Sequence, residues 1–435
     1  MTAHYRRISF LLALLFCQPT ISSSQDHPSI HEEQLEEHDT WEMIVEPVNV
    51  TTGLENLILN FPEKINGKVV GIVTNHTGLD SRGRPNWIAI EEETSAQVDA
   101  IFTPEHGLSG EFLAGEDVAY HSEENIHLPK VFSLYGAAKK PTAEMLSGLD
   151  ILIYDIQDVG ARFYTYITTL GLIMEASAES DVPVLIIDRP NPITGAKVSG
   201  PTLDMANQSF IGYYPIPVQY GLTPGELALM IAGEEWINDI PELEVIPMIN
   251  WSRELWYDET NIPWVSTSPN IPDVASATVY PGTCFLEATN VSEGRGTPIP
   301  FLQAGAPWID DKLLSRKLNQ LNLDGVLFRP VSFTPKHPEN SGHKKYHEEK
   351  CYGVKIVVTD RRIFDPVVSG IHLLNQINEL YPDKLVIKVG SLNRLSGTDE
   401  LSKMIKGDIT LQEILEIIRS DISLFMEMRK PYLLY

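Results

Sequence analysis

Short β-branched runs alternate with helix-period segments along most of this chain. KVVGIVTN (68–75), VDAIFTP (98–104), LDILIYDIQD (149–158) and VPVLIIDRPNP (182–192) are four apolar runs of strand length. TTGLENLILN (51–60) predicts a short helix, and TYITTLGLIMEASAES (165–180) carries apolar positions spaced near 3.6 and predicts a longer one. Strands separated by helical patterns mean βαβ units, so the expected fold class is α/β with a mainly parallel sheet. A helix is expected to start at Thr223-Pro224, with Glu226 at the capping-box position. ELEVIPMINW (242–251) is a fifth strand pattern. PWVSTSPNIPDVASATVYPG (263–282) is rich in Pro and Ser and is expected to cross to a second, smaller α/β (α+β) domain. That domain has strand patterns at 325–333 and 351–360, helix patterns at 310–322 and 367–381, and a helical C-terminal region.

The chemistry-bearing residues sit where the apolar runs stop. The four runs end in Asn75-His76, Glu105-His106, Asp155-Gln157-Asp158 and Asp188-Arg189-Asn191. In open α/β sheets, ligands bind outside the carboxyl ends of the strands. Loop solvation alone also makes strand ends polar, but two histidines, acidic pairs and an arginine exceed what loops need. The richest stretch is IFTPEHGLSGEFLAGED (101–117), in which Glu105, His106, Glu116 and Asp117 come after a run that stops at Pro104. Carboxylates and a histidine at such an edge point to acid/base chemistry; solvated side chains on a Gly-rich loop are the competing reading.

Composition narrows the function classes. The chain has 435 residues and a formal net charge of −26, which argues against sequence-independent binding of nucleic acid or docking on anionic lipid. Residues 1–24 have the layout of a signal peptide: Arg6-Arg7, an apolar core from Ile8 to Phe16, then small polar residues. Export to a periplasmic or extracellular space is expected, with no membrane span in the mature chain. A lipoprotein reading through Cys17 is disfavoured by the bulky Phe16. Residues 25–50 read as an acidic linker, 51–270 as the N-terminal domain and 271–435 as the C-terminal domain. Cys284 and Cys351 make no disulfide scaffold and are expected to be buried thiols. His337, His343 and His347 fit no defensible zinc spacing among their lysine neighbours, and a solvated loop is expected there.

Taken as whole phrases, GIVTNHTGLD, IFTPEHGLSGEFLAGEDV, LDILIYDIQDVGARFYTYITTL, DRPNPITG, YYPIPVQYGLTPGELA, SEGRGTPIPF, CYGVKIVVTD and RLSGTD run in order through the chain. On these motifs the sequence resembles the NamZ-like exo-β-N-acetylmuramidases, glycoside hydrolase family 171, once catalogued as a domain of unknown function. The resemblance spans nearly everything from about residue 54 onward. It implies a Rossmann-like N-terminal domain, a smaller C-terminal domain and an active site in the cleft between them. It implies release of N-acetylmuramic acid from non-reducing ends of peptidoglycan fragments, with no cofactor and no metal. A non-catalytic sugar- or wall-binding protein on the same fold is the alternative.

A glycosidase needs a proton donor and usually a second carboxylate. Glu105, set by Pro104 at a strand end, is the expected general acid, and Glu116 the expected second carboxylate. Asn75, His76, His106, Asp155, Asp158, Arg162, Tyr164, Arg189, Asn191 and Arg295 are the expected substrate-binding set. One of Asp155 and Asp158 would bind sugar hydroxyls while the other fixes Arg162. Arg162 or Arg295 would recognise the lactyl carboxylate of muramic acid; a structural ion pair is the competing role. Tyr164 and Tyr166 alternate, so one would line the cleft and the other the core.

Overall fold

The computed structural model describes residues 46–110, 129–136, 138–339, 341–342 and 344–435. The strands in chain order are β1 (Val69–Thr74), β2 (Gln97–Thr103), β3 (Lys130–Ser133), β4 (Ile151–Asp155), β5 (Val184–Ile187), β6 (Ser199–Thr202), β7 (Pro217–Gln219), β8 (Leu243–Ile246), β9 (Gln303–Ala306), β10 (Val326–Phe333) and β11 (Cys351–Val358). Six of them form one sheet in the order β3-β2-β1-β4-β5-β8, with every neighbouring pair parallel. Counting only these six, the order is that of a Rossmann sheet, 3-2-1-4-5-6.

The sequence makes this sheet because its runs are apolar on both faces. Val70 and Ile72 face one core, together with Ile151, Ile153, Leu185 and Ile187. Val73, Leu152, Tyr154, Val184 and Ile186 face the other. Side chains alternate with period two along a strand, so continuous apolar runs fit only a sheet covered on both sides. The helices α1 (Gly53–Asn60) and α2 (Asn86–Glu93) supply Leu54, Leu57 and Ile90 to the first core. The short α3 (Ala143–Leu146), then α4 (Tyr166–Glu179) and α5 (Pro224–Gly233), contribute to the second. The capping box at α5 forms: Thr223 Oγ1 accepts from Glu226 N, and Glu226 accepts from Thr223 N.

The second core runs on without a break into the C-terminal part. There β10, β11 and β9 make a three-stranded antiparallel sheet. Residues 274–283, expected to be crossover, are instead helix α6 (Val274–Thr283), with Pro281 inside it. Asp273 caps it by accepting from Ser276 N at 2.7 Å, and its buried Ala277 and Val279 explain why tertiary packing outweighs the Pro and Ser content. Helices α7 (Asp311–Asn319) and α8 (Pro366–Leu380) pack with this sheet and α6, followed by α9 (Val389–Ser396), α10 (Glu400–Lys406) and α11 (Leu411–Met428). The β6–β7 pair lies against α11, and the C-terminal Tyr435 reaches back to donate to Asp188 at 2.7 Å. From residue 46 on, the described chain is one compact unit. No described helix is long and apolar enough to cross a membrane.

Candidate active site

Because β1, β2, β4 and β5 are parallel, their carboxyl ends open on one edge of the sheet. The strand order reverses between β1 and β4, where a crevice is expected. Asn75, His76, Asp155 and Asp158 lie at the ends of these two strands, Glu105 comes after β2, and Arg189 after β5.

Several of these side chains build the edge and do not touch the cavity. Asp155 is fully buried and pairs with Arg189, whose Nε and Nη2 both donate to it; Asn86 Nδ2 donates to the same carboxylate at 2.8 Å. Asp158 accepts from Gly160 N at 2.7 Å and from the Tyr220 hydroxyl. Burial pushes the Asp158 pKa up to about 6 against these donors. Asn191 donates to Leu222 O at 2.9 Å and accepts from Ile193 N at 3.2 Å. The expectation that a carboxylate fixes Arg162 is corrected. Its guanidinium donates to three carbonyls, Pro201 O and Ile216 O at 2.8 Å and Leu395 O at 3.0 Å. Fully buried away from carboxylates, Arg162 has its pKa lowered to about 9. It joins three segments and cannot meet a substrate acid without breaking them. Asp155, Asp158, Arg162, Arg189 and Asn191, expected to bind sugar, all hydrogen-bond within the protein here, and none of them lines the cavity.

Asn75 and His76 act one step removed. Asn75 Nδ2 donates to the Tyr166 hydroxyl at 2.9 Å, which donates to Thr267 O at 2.9 Å. His76 Nε2 lies 2.6 Å from Ser266 O. Burial holds the His76 imidazole below its ordinary pKa, against the Ser266 contact, so the neutral ring donates through Nε2. These two residues pin segment 266–270 to the sheet edge, and Ser268 and Asn270 of that segment face the cavity.

The cavity itself measures about 220 Å³. Glu105, His106, Tyr164 and Arg295 of the expected set line it, joined by Thr165, Tyr280 and Glu287. Pro104 ends β2, and His106 (φ 72°) and Gly107 (φ 69°) are both left-handed, which turns the chain sharply after the acid. Thr165 Oγ1 donates to Glu105 Oε2 at 2.7 Å. Of the two tyrosines, Tyr164 lines the cavity and Tyr166 is in the core, their rings edge to face at 4.7 Å. Arg295 Nη2 meets Glu287 Oε1 at 2.7 Å, and its guanidinium lies 5.1 Å over Phe301. Burial alone would lower the Arg295 pKa; Glu287 and Glu293 outweigh that and hold it above its ordinary value. Lys345 joins the network, donating to Glu293 at 2.8 Å and to Leu286 O and Val291 O.

That lysine corrects another expectation. The 336–347 loop is not wholly solvated: His337 is buried, its N donates to His347 Nδ1 at 2.9 Å, and its Nε2 lies 3.1 Å from Lys345 O. Among the described residues no cluster of His, Cys, Asp and Glu could hold a metal ion. Glu116 and His343 lie outside the described residues. Cys284 and Cys351 are both buried and not joined in a disulfide. Sequence reasoning missed Glu287 and Thr165. The phrase LEATNVSEGRG, with two glutamates and an arginine in eleven residues, carried the signal for the first.

A Rossmann-type sheet whose carboxyl edge opens into a carboxylate-bearing cavity, completed by a smaller antiparallel unit, defines a two-part α/β enzyme. Residues 70–275 match the N-terminal domain of exo-β-N-acetylmuramidase NamZ, and residues 278–435 match its C-terminal domain. The chain belongs to the NamZ exo-β-N-acetylmuramidase family, a family of glycosidases. It is 40% identical over 387 residues to the peptidoglycan β-N-acetylmuramidase NamZ of Bacillus subtilis, covering 89% of this chain and 91% of that protein. Two crystal structures of DUF1343 family proteins from Bacteroides fragilis share the fold. One has a TM-score of 0.82 at 33% identity, the other 0.70 at 34%, each covering 89% of this chain and 99% of the other.

Proposed function

We propose that the protein is an exported exo-acting glycosidase that releases N-acetylmuramic acid from the non-reducing ends of peptidoglycan fragments during cell-wall turnover. The observation that carries this reading is the cavity holding Glu105 at the carboxyl edge of the sheet. At about 220 Å³ it is smaller than the ~300–1,000 Å³ of typical ligand sites, which suits one terminal sugar better than a threaded chain. The relative from Bacillus subtilis, named for this activity, supports the same substrate class.

In this reading Glu105, held by Thr165, protonates the glycosidic oxygen as the C–O bond breaks, and water completes the hydrolysis at the anomeric carbon. Arg295 supplies the positive charge for the lactyl carboxylate, which N-acetylglucosamine lacks. Glu287 holds Arg295 and is the second carboxylate on the described wall. Asn75 and His76 fix the 266–270 segment against which the sugar lies. The basic, apolar N-terminus supports delivery outside the cytoplasm.

The test is incubation with a chromogenic N-acetylmuramide beside its N-acetylglucosaminide counterpart. Release from the first with little from the second is the expected result. Equal rates would sink the specificity, and saturable binding of both without release would favour a sugar-binding protein. Finding the full-length protein uncleaved in the cytoplasm of its host would overturn export.

A further inference from the structure

The cavity borders a second, broader depression of about 650 Å³. Phe210 lines the depression, while its chain neighbour Ile211 lines the cavity. Tyr135, on the cavity wall, has its ring 6.2 Å from that of Phe210. The two spaces thus meet at Phe210-Ile211, where the Tyr135 and Phe210 rings lie side by side.

The depression has the chemistry of a sugar-acid site. Phe210 and Tyr213 are half-buried and offer aromatic surface, against which the C–H faces of sugars pack. Lys139 is exposed, with its Nζ 4.1 Å over the Phe210 ring. It makes no ion pair among the described residues, whereas its neighbour Lys140 is held by Glu175 at 3.4 Å and Glu179 at 2.6 Å. In a chain of net charge −26, an exposed ammonium without an ion pair among the described residues is an attractor for a carboxylate. The wall is also rigidly built. Ser209 and Gly212 exchange backbone hydrogen bonds at 2.8 and 3.0 Å, Thr168 donates to Phe210 O at 2.9 Å, and Gln208 donates to Tyr213 O at 3.1 Å. Neither Lys139 nor Phe210 lines the Glu105 cavity; Phe210 meets it only through the Tyr135 ring.

We propose that this depression binds the glycan beyond the scissile bond. Phe210 and Tyr213 take sugar faces, and Lys139 takes the lactyl carboxylate of the next muramic acid along the chain. The inference rests on the muramidase reading and deepens it. The cavity selects the sugar to be released, and the depression selects for a polymer behind it.

The experiment compares kcat/KM on three substrates: a chromogenic N-acetylmuramide, the disaccharide of N-acetylmuramic acid and N-acetylglucosamine, and the tetrasaccharide that repeats it. Lys139→Ala should lower kcat/KM on the tetrasaccharide roughly three- to tenfold, the range of a partly exposed ion pair, and leave the chromogenic glycoside unchanged. Phe210→Ala should lower it on both the disaccharide and the tetrasaccharide. Amidating the one lactyl group of the tetrasaccharide beyond the terminal sugar should reproduce the Lys139→Ala loss in the native enzyme and add nothing to the variant. Equal effects of Lys139→Ala on all three substrates, or none on the tetrasaccharide, would overturn the proposal. Failure of the native enzyme to release any N-acetylmuramic acid would instead refute the muramidase reading itself.

Discussion

Thr165 Oγ1 donates a 2.7 Å hydrogen bond to Glu105 Oε2, and Thr165 is the residue immediately before α4. A threonine at a helix start ordinarily accepts from the helix's own free N–H groups. Here its side chain makes no such capping bond and directs its proton to the carboxylate delivered by β2. One hydroxyl therefore couples the end of a strand to the start of a helix 60 residues later in the chain.

Glu105→Gln keeps the shape and removes the transferable proton. Turnover on the natural disaccharide should fall on the order of 10²–10⁴-fold, the usual worth of one acid/base group. The loss should be smaller for a chromogenic substrate whose leaving group needs no protonation. Thr165→Val should lower turnover up to about tenfold, since an ordinary hydrogen bond such as the one that positions Glu105 is worth about 0.5–1.5 kcal/mol. Steady-state kinetics on both substrates checks this; a folded Glu105→Gln enzyme with near-normal turnover on the disaccharide would move the acid elsewhere.

Arg295→Met should erase the preference for N-acetylmuramic acid over N-acetylglucosamine, chiefly through a higher KM for the acidic sugar. Glu287→Gln should weaken the same preference by loosening the 2.7 Å clamp on the guanidinium. The ratio of kcat/KM values on the two chromogenic glycosides reads both out. An unchanged ratio in Arg295→Met would remove that residue from lactyl recognition.

Arg162→Met should act on stability and not on specificity. It takes the guanidinium donor away from the buried carbonyls of Pro201 and Leu395, while Ile216 O keeps Leu203 N at 3.2 Å. Each such group costs about 1–3 kcal/mol. Asp155→Ala should behave alike, stranding buried Arg189 at about 3–5 kcal/mol. Urea unfolding measures the cost. A change in the muramic-to-glucosamine ratio without loss of stability would return these residues to the substrate.

Asp158 sets a pH signature. Its pKa in the folded protein is pushed up to about 6 by burial, against about 3.9 in an unfolded chain. Between these values the folded state holds a proton that the unfolded chain has lost. The associated stability is full below pH ~4 and is lost as pH rises through ~6. Asp188, pushed up to about 7, contributes with the same sign. Asp158→Asn should therefore gain stability relative to the native protein on going from pH 4 to pH 8, by a few kcal/mol at most. Unfolding curves at the two pH values test this; a relative loss would reverse the assignment.

Much of this architecture can be read from local pattern. The four runs at 68–75, 98–104, 149–158 and 182–192 became β1, β2, β4 and β5, because a run apolar on both faces has one stable home, a covered parallel sheet. Thr223-Pro224 with Glu226 specified the start of α5 within four residues of chain. Helix α6 was hidden for the converse reason. Its Ser, Thr and Pro residues argue for a loop locally, and only burial of Ala277 and Val279 against α8 and the continuous core makes it helical.

The site divides in the same way. The order of residues placed Glu105, His106, Asp155 and Arg189 at one edge, since parallel strands joined by helices end on one side. Tertiary structure decided which of these polar groups face the cavity. Asp155 turned to Arg189, 34 residues away, and Arg162 to a carbonyl 233 residues away, while Glu287 and Arg295 arrived from the C-terminal part to complete the wall. A buried polar group must find its hydrogen-bond partners wherever the packed chain brings them. Which side chain builds the edge and which is left to meet a ligand is settled by contacts across the whole fold, whereas strand, helix and edge are settled by the periodicity of neighbouring residues.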